Sequence, residues 1–477
     1  MYHFTENPSS KPTYFIFLIA AIAALGGFLF GFDSSIIADT KDQITAQFSL
    51  SDFQWSWIVS VSLLGSIIGI PISGLVADHI SRKSMLLLVA AGFILGAILC
   101  AQATQLNILI TGRFIIGMCI GIASYISPLF IAEMAPANAR GGMILMNGLA
   151  ITFGQAFSFL LGYFIHDISQ SSWRLLLWLG TIPAFCLLIG ILFVPHSPRF
   201  MMAKYGRDKA YEILKKIRHN EIAIQTELHE IKLNLTQSSS GNILSLFKKP
   251  FIFVLIAGVL LGIFQQFSGI NAIMYYGPVI FETAGFYPIK TTLLATFWMG
   301  LVNFLFTAIT LFYVDKVGRR FLLLSGILLA SLSLVLVACY YQWHLFNQKW
   351  LMLCFMSTYI MGYCVSVGSL FWVIISEIYP HKIRGLAMSI ATLVQWGANF
   401  VVAISFLDIF HRFGEIKTFC LFSLICLCAF IFIYHFIPET TDVSLEKIEE
   451  NLMAGKKLRE IGQPVESEIG EVESVGI

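Results

Sequence analysis

Apolar runs about twenty residues long follow one another along nearly the whole chain, and nothing constrains its folding more. A bilayer supplies no water to backbone N–H and C=O groups, so a lipid-exposed segment must satisfy them internally. Roughly 20 helical residues cross the hydrocarbon core. About twelve such runs can be read by that measure, the first at 13–38 and the last at 417–437. Strands of a membrane barrel would instead be short and alternating. The 477 residues are 57% hydrophobic and 12% charged, about half the charge of a soluble domain. The expected class is an all-α integral membrane protein.

A second feature sets the organisation. The signature Glu-x-x-Pro-x-x-x-Arg-Gly occurs at Glu133–Gly141 and again at Glu377–Gly385, 244 positions on. Asp78 with Arg82 is echoed by Asp315 with Arg319 after 237 positions, and Pro195 by Pro438 after 243. A period near half the chain means one unit used twice. Duplicated helical halves are the usual build of secondary transporters, which hold the substrate where the halves meet. The expected divisions are a first half at 1–194, a linker at 195–250, a second half at 251–438 and a tail at 439–477. In the linker, Ala210, Ile213, Leu214 and Ile217, then Ile224, Leu228, Ile231 and Leu235, repeat at helical spacing. Two amphipathic helices lying on the cytoplasmic face are predicted there. Ser238–Gly241 should loosen the chain, one short helix should follow Ser444, and the acidic stretch beyond Gly462 reads as disordered.

Lys and Arg favour one set of loops. Arg82, Lys83, Arg140, Lys316, Arg319, Arg320, Lys382, Arg384 and ten more in 195–250 fall on the side of the N-terminus. The other loops hold six: Lys41, Arg174, Lys290, Lys349, Arg412 and Lys417. The positive-inside rule then puts both termini in the cytoplasm. The polar first 12 residues and long first run predict no cleaved leader. A net charge of +2 without a basic tract argues against nucleic acid as a partner. The nine cysteines sit in or beside apolar runs, with no CxxC pair and no histidine cluster. Neither a disulfide framework nor a metal site is expected.

Three residue sets carry chemistry. Asp33 and Arg113 lie inside apolar runs, where an ionisable group costs at least about 2.5–3.5 kcal/mol. Counted from their run ends, both belong to the outer third of the membrane and can pair. Pairing and burial pull a carboxylate's proton affinity in opposite directions, which suits a group that loads and releases a proton. The seventh run places Gln265, Ser268, Asn271 and Tyr275 on one stripe, flanked by Gln266. Amides both donate and accept, as a neutral polyol does. Gln155, Asn303 and Gln395 add amides, and Phe30, Trp372 and Trp396 add rings that can pack on a sugar's C–H face. The third set, Asp78, Arg82, Glu133, Arg140, Asp315, Arg319, Arg320, Glu377 and Arg384, lies at the inner ends. Its repetition suggests ion pairs that bridge the halves at the cytoplasmic mouth.

The motifs Gly26–Asp33, Gly112-Arg113, Glu133–Gly141, Pro195-His-Ser-Pro-Arg199, Gln265–Tyr276, Asp315–Arg320 and Pro438-Glu-Thr440 resemble those of the sugar porter family of the major facilitator superfamily. The likeness runs over nearly the whole length, and within the family it is strongest to bacterial D-xylose–proton symporters, through Gln395-Trp396. The resemblance implies twelve helices in two pseudo-symmetric six-helix bundles that alternate access to a central site. It implies that Asp33 takes the coupled proton and Arg113 partners it. Phe30, Gln155, Gln265, Gln266, Asn271, Tyr275, Asn303, Trp372, Gln395 and Trp396 then contact the sugar, and Glu133, Arg140, Glu377 and Arg384 belong to a cytoplasmic charge network. The implied partners are a monosaccharide, a proton as coupling ion and membrane lipid. No cofactor and no enzymatic reaction are expected, and the protein is expected as a monomer in the plasma membrane.

The chain departs from the pattern at five places. Phe32 stands for the usual Tyr, His79 and Ser81 for Arg and Gly, His196 for Glu, and Ser369 for Pro. The first three inner-side changes thin the charge network of half one. Loss of the proline, which would free a helix of one backbone donor, makes the tenth run stiffer or moves its hinge. A facilitative uniporter with a structural Asp33 is the nearest alternative, and a sugar sensor, which would want a longer tail, the next. A drug exporter would lack the amide set.

Overall fold

The computed structural model describes residues 14–77, 79–136, 139–169, 171–218, 220–237, 246–380, 383–441 and 443–462. Twelve of its helices are long and apolar enough to cross a membrane. Six come first: Tyr14–Phe48 (α1), Asp52–Ala77 (α2), Arg82–Ala101 (α3), Leu106–Met134 (α4), Arg140–Ile165 (α5) and Ser172–Phe193 (α6). The other six are Phe251–Tyr275 (α7), Ile289–Val314 (α8), Arg319–Gln342 (α9), Lys349–Ile378 (α10), Arg384–Phe413 (α11) and Glu415–Phe436 (α12). No strand occurs among the described residues. The two sets of six form pseudo-symmetric bundles that meet along α5 against α8 and α2 against α11. Hydrophobic residues face outward as freely as inward, because lipid is as apolar a solvent as the core.

Close backbone contact holds the first bundle. A Cβ on Gly65 or Gly69 would strike the α4 backbone at Phe114 and Met118, and one on Gly121 would strike Ser66 on α2. Small residues are therefore needed for these two helices to touch. The contact fixes Arg113, one turn before Gly117, against α2.

Three elements differ from the simple reading. The first span continues past residue 38 through a 3₁₀ turn at Ala38–Thr40 into Lys41–Phe48. The seventh breaks at Gly269, whose φ of +94° is left-handed, and resumes at Ile270–Tyr275 before a further helix at Gly277–Thr283. A side chain at Gly269 would also lie 2.8 Å from the Phe422 ring. The tenth is interrupted by a π turn at Cys364–Gly368, with Ser366 non-helical at φ −101°, ψ −122°. The hinge exists without proline and sits just before Ser369.

In the linker, helices span Pro198–Tyr205, Arg207–Ile217 and Glu221–Gln237. Ala210, Leu214, Ile217, Ile224 and Leu228 are buried against the first bundle, and Ile213 is buried as well. Ser444 caps a helix at Leu445–Met453. The expectations for Ser238–Gly241, for the first 12 residues and for the stretch beyond Gly462 lie outside the described residues, as do Asp78 and Lys382.

Candidate functional site

Asp33 on α1 and Arg113 on α4 are 4% and 1% exposed. Arg113 Nη1 lies 2.7 Å from both Asp33 oxygens. Its Nη2 donates to Ser62 Oγ at 2.9 Å and its Nε to the Ile58 carbonyl at 3.5 Å. The guanidinium is thus held by two helices, and the carboxylate by the guanidinium alone. Loss of the negative charge would leave Arg113 with its α2 partners and release α1.

The amides converge at the junction of the bundles. Gln395 Nε2 donates to Gln265 Oε1 at 3.0 Å, and Gln265 Nε2 to the Val367 carbonyl at 2.8 Å. That carbonyl lies in the π turn of α10, where the broken ladder leaves acceptors for side chains. Asn271 Nδ2 donates to Gln266 Oε1 at 2.6 Å. Asn303 Nδ2 on α8 reaches Gln155 Oε1 on α5 at 2.9 Å, a bond between the halves. The Phe30 and Trp396 rings also meet across the halves, with centroids 5.3 Å apart. A narrow recess beside the ion pair is lined by Phe30, Ser34, Ser62, Arg113, Tyr275 and Trp396. Trp372 stands apart from the recess lining, half exposed and edge-on to Phe371.

Ser268 does not face the cluster: its Oγ donates back to the Gln265 carbonyl at 2.7 Å, and its own carbonyl accepts Tyr359 Oη. The assumed stripe required an unbroken helix. Asn399, one turn beyond Gln395, was not among the candidates, yet its Nδ2 reaches Tyr275 Oη at 3.3 Å. Gln395 Oε1 and Asn399 Oδ1 are buried acceptors without a partner, as a site for a hydroxyl-bearing ligand would present. The spacing of four from Gln395 was the signal.

The inner-end charges pair within halves. Arg82 Nη2 lies 3.1 Å from Glu133 Oε1, and Arg319 Nη2 lies 3.4 Å from Glu377 Oε1. Glu377 also accepts Thr440 Oγ1 at 2.5 Å. Arg320 Nη2 donates to the Tyr434 carbonyl at 2.8 Å. Arg384 Nε donates to the Tyr379 carbonyl at 3.0 Å, while Arg140 is exposed. The Asp315 side chain, like Asp78, is outside what is described. Polar contacts between the halves occur at the opposite end: Lys290 forms an ion pair with Asp167 at 3.0 Å, and His411 Nδ1 lies 2.8 Å from Asp52 Oδ2. The described mouth pairs therefore do not bridge the halves in this conformation, which is closed at the end away from the linker.

A family model described as "Sugar (and other) transporter" matches residues 19–452. The galactose-proton symporter of Escherichia coli (strain K12) is 36% identical over 451 residues, 94% of this chain and 96% of its own. The arabinose-proton symporter of the same strain is 36% identical over 452 residues, 93% and 95%. Among solved structures, the inward open conformation of the xylose transporter XylE from E. coli aligns with a TM-score of 0.81 at 30% identity. That alignment covers 91% of this chain and 99% of XylE.

Proposed function

This chain belongs to the sugar transporter family, and on that premise we propose that it carries a neutral monosaccharide into the cell together with a proton. The supporting observation is a recess lined by Arg113, the partner of Asp33, together with Phe30, Tyr275 and Trp396. A proton and a sugar arriving from the same side would meet there. The Lys and Arg distribution puts the linker, both termini and the mouth charges in the cytoplasm of a plasma-membrane carrier.

Protonation of Asp33 removes the attraction that holds α1 to α4. Phe30 lies one turn before Asp33 on the same helix and packs on Trp396 of the other half. The charge on Asp33 is thereby tied to the position of an aromatic contact between the bundles. Sugar hydroxyls would take the acceptors now unused on Gln395 and Asn399 and replace the Gln155–Asn303 bond. Binding energy spent in that way differs between the two states, as any ligand that shifts an equilibrium requires. Rocking of the halves to the outward-open state closes the inner mouth and brings the mouth charges of the two bundles together, which is the gating role proposed for Glu133, Arg140, Glu377 and Arg384. Xylose is the favoured substrate, through Gln395-Trp396 and the likeness to XylE, with galactose and arabinose the competitors that the relatives' names supply.

Uptake in cells stripped of other sugar carriers tests the reading. Asp33→Asn should abolish accumulation against a gradient while sugar exchange at equilibrium persists. Accumulation by Asp33→Asn would show that coupling does not run through Asp33, and absence of accumulation in the wild-type protein would leave a facilitative uniporter with a structural aspartate.

A further inference from the structure

A second buried acid lies outside the site described so far. Asp39 sits in the 3₁₀ turn at the outer end of α1 and is 3% exposed. Both of its carboxylate oxygens are buried and neither has a hydrogen-bond partner. The carboxylate fills the space left by the missing side chain of Gly162 on α5. His166 follows Gly162 by four residues on the same helical face, where Cβ positions stand about 5–6 Å apart. It is 8% exposed, and its Nδ1 is also buried without a partner. Ser35, one turn before Asp39, contributes a third orphaned polar atom, its Oγ.

Other charges near the turn are committed elsewhere. Asp33 of α1 is held by Arg113. Arg174 of α6 donates to the Ala101 and Ala103 carbonyls, both at 2.8 Å. Asp167 pairs with Lys290. Asp42 and Glu282 are exposed, Lys41 and Tyr163 half-buried, and none of these groups bonds Asp39. An ionised carboxylate here would have no counter-charge and no donor but His166, an arrangement folded proteins avoid. A carboxylic acid, by contrast, has an O–H for which the His166 Nδ1 is a ready acceptor after a small rotation or through one water.

We infer that Asp39 and His166 form a second proton-binding site, at the outer mouth. The turn is walled on one side by Gly277–Thr283, which belongs to the opposite half. Opening the outer mouth withdraws that helix, wets Asp39 and lets its proton leave; closing the mouth takes one up. The site makes outer closure sensitive to external pH, and it does so whether or not Asp33 couples transport.

Infrared titration of the full chain in lipid nanodiscs tests this, read at the carboxylic-acid carbonyl band above about pH 5, where exposed aspartates are ionised. A protonated band should persist in wild type and in Asp33→Asn, disappear in Asp39→Asn, and shift its midpoint in His166→Gln. An unchanged band in Asp39→Asn, or an unmoved midpoint in His166→Gln, overturns the proposal. Should Asp39→Asn fail to fold, carbon-13 aspartate labelling of Asp33→Asn decides: absence of a label-shifted acid band overturns it equally. Replacing choline chloride by sodium chloride at fixed pH should leave the band in place; its loss would reassign the site to sodium and reject a proton.

Discussion

The two bundles reuse one motif at their inner ends but fasten it with opposite chemistry. In the second, Glu439 Oε1 accepts the Arg319 backbone N–H at 3.0 Å and Oε2 that of Arg320 at 3.1 Å. A carboxylate therefore caps the start of α9, where the helix dipole favours negative charge. Thr441 Oγ1 bonds the same carboxylate at 2.6 Å. Burial works against the charge, but the Thr441 bonds and the two backbone donors hold Glu439 below the usual carboxylate range. In the first bundle the equivalent place is His196, and α3 is capped by Ser81, whose Oγ accepts the Ser84 N–H at 3.1 Å. What the bundles keep in common is a cation tied to the end of the last span of its own half. Lys83 Nζ reaches the Leu192 and Val194 carbonyls at 2.8 and 2.7 Å, as Arg320 reaches Tyr434. Internal duplication has conserved the tether and let the cap diverge.

The largest test of this asymmetry lies in the mouth pairs. The Arg82–Glu133 pair has side chains 9% and 5% exposed, against 12% and 20% for Arg319–Glu377. Glu133 accepts no aligned hydrogen bond besides its ionic contact, whereas Glu377 also holds Thr440. Removing one partner of a buried pair costs about 3 kcal/mol. Glu133→Gln should lower stability by about that amount and slow exchange with sugar binding intact. Glu377→Gln should cost less than half as much, because Thr440 and the Thr441 contact to Arg319 remain. Thermal unfolding and equilibrium exchange of the two variants side by side measure the difference. Equal losses would mean that the halves are fastened alike, and wild-type exchange in both would remove the gating role.

A middle-sized effect belongs to the cap itself. Glu439→Ala strips two backbone donors of a charged acceptor, about 2 kcal/mol by the scale of charge-assisted bonds. Hydrogen exchange at Arg319 and Arg320 should accelerate roughly thirtyfold, while amides at the start of α3 stay as they are. Acceleration in both bundles would show that the inner ends are not independently fastened.

The sequence made the fold legible because membrane helices announce themselves by length and apolarity, and the duplication by its period. The Asp33–Arg113 pair was legible too, since cost in hydrocarbon singles out such residues and run ends fix their depth. What escaped depended on contacts that no linear pattern holds. The stripe of the seventh run was divided because Gly269 breaks the helix after Ser268, against Phe422. The hinge of α10 formed at Ser366 without proline because Gly326 and Gly362 bring α9 and α10 together there. Bridging of the halves by the mouth charges is a property of one conformation, and a sequence specifies more than one. Asp39 was invisible for a simpler reason: it lies just past the run limit at 38, where an acid is ordinarily wet.

The smallest effect separates His196 from its counterpart Glu439 by pH. Burial, and then the Lys83 ammonium, hold His196 below the ordinary histidine value. The folded chain therefore binds a proton there less readily than the unfolded chain, whose histidine titrates near about 6.5. Stability that depends on neutral His196 is fully present above that value and declines as pH falls through it towards the lower folded value. Glu439 is depressed in the same sense but from about 4.3, so its contribution stays whole until far more acid conditions. Between about pH 7 and 5, amides from Phe200 to Tyr205 should lose protection while those of Arg319 to Leu322 keep theirs. His196→Gln should abolish the first trend and leave the second, and because His196 is only partly buried the change is a few-fold at most. If both bundles loosen in parallel, or if His196→Gln retains the trend, then the divergence of the caps has no bearing on how each half is held.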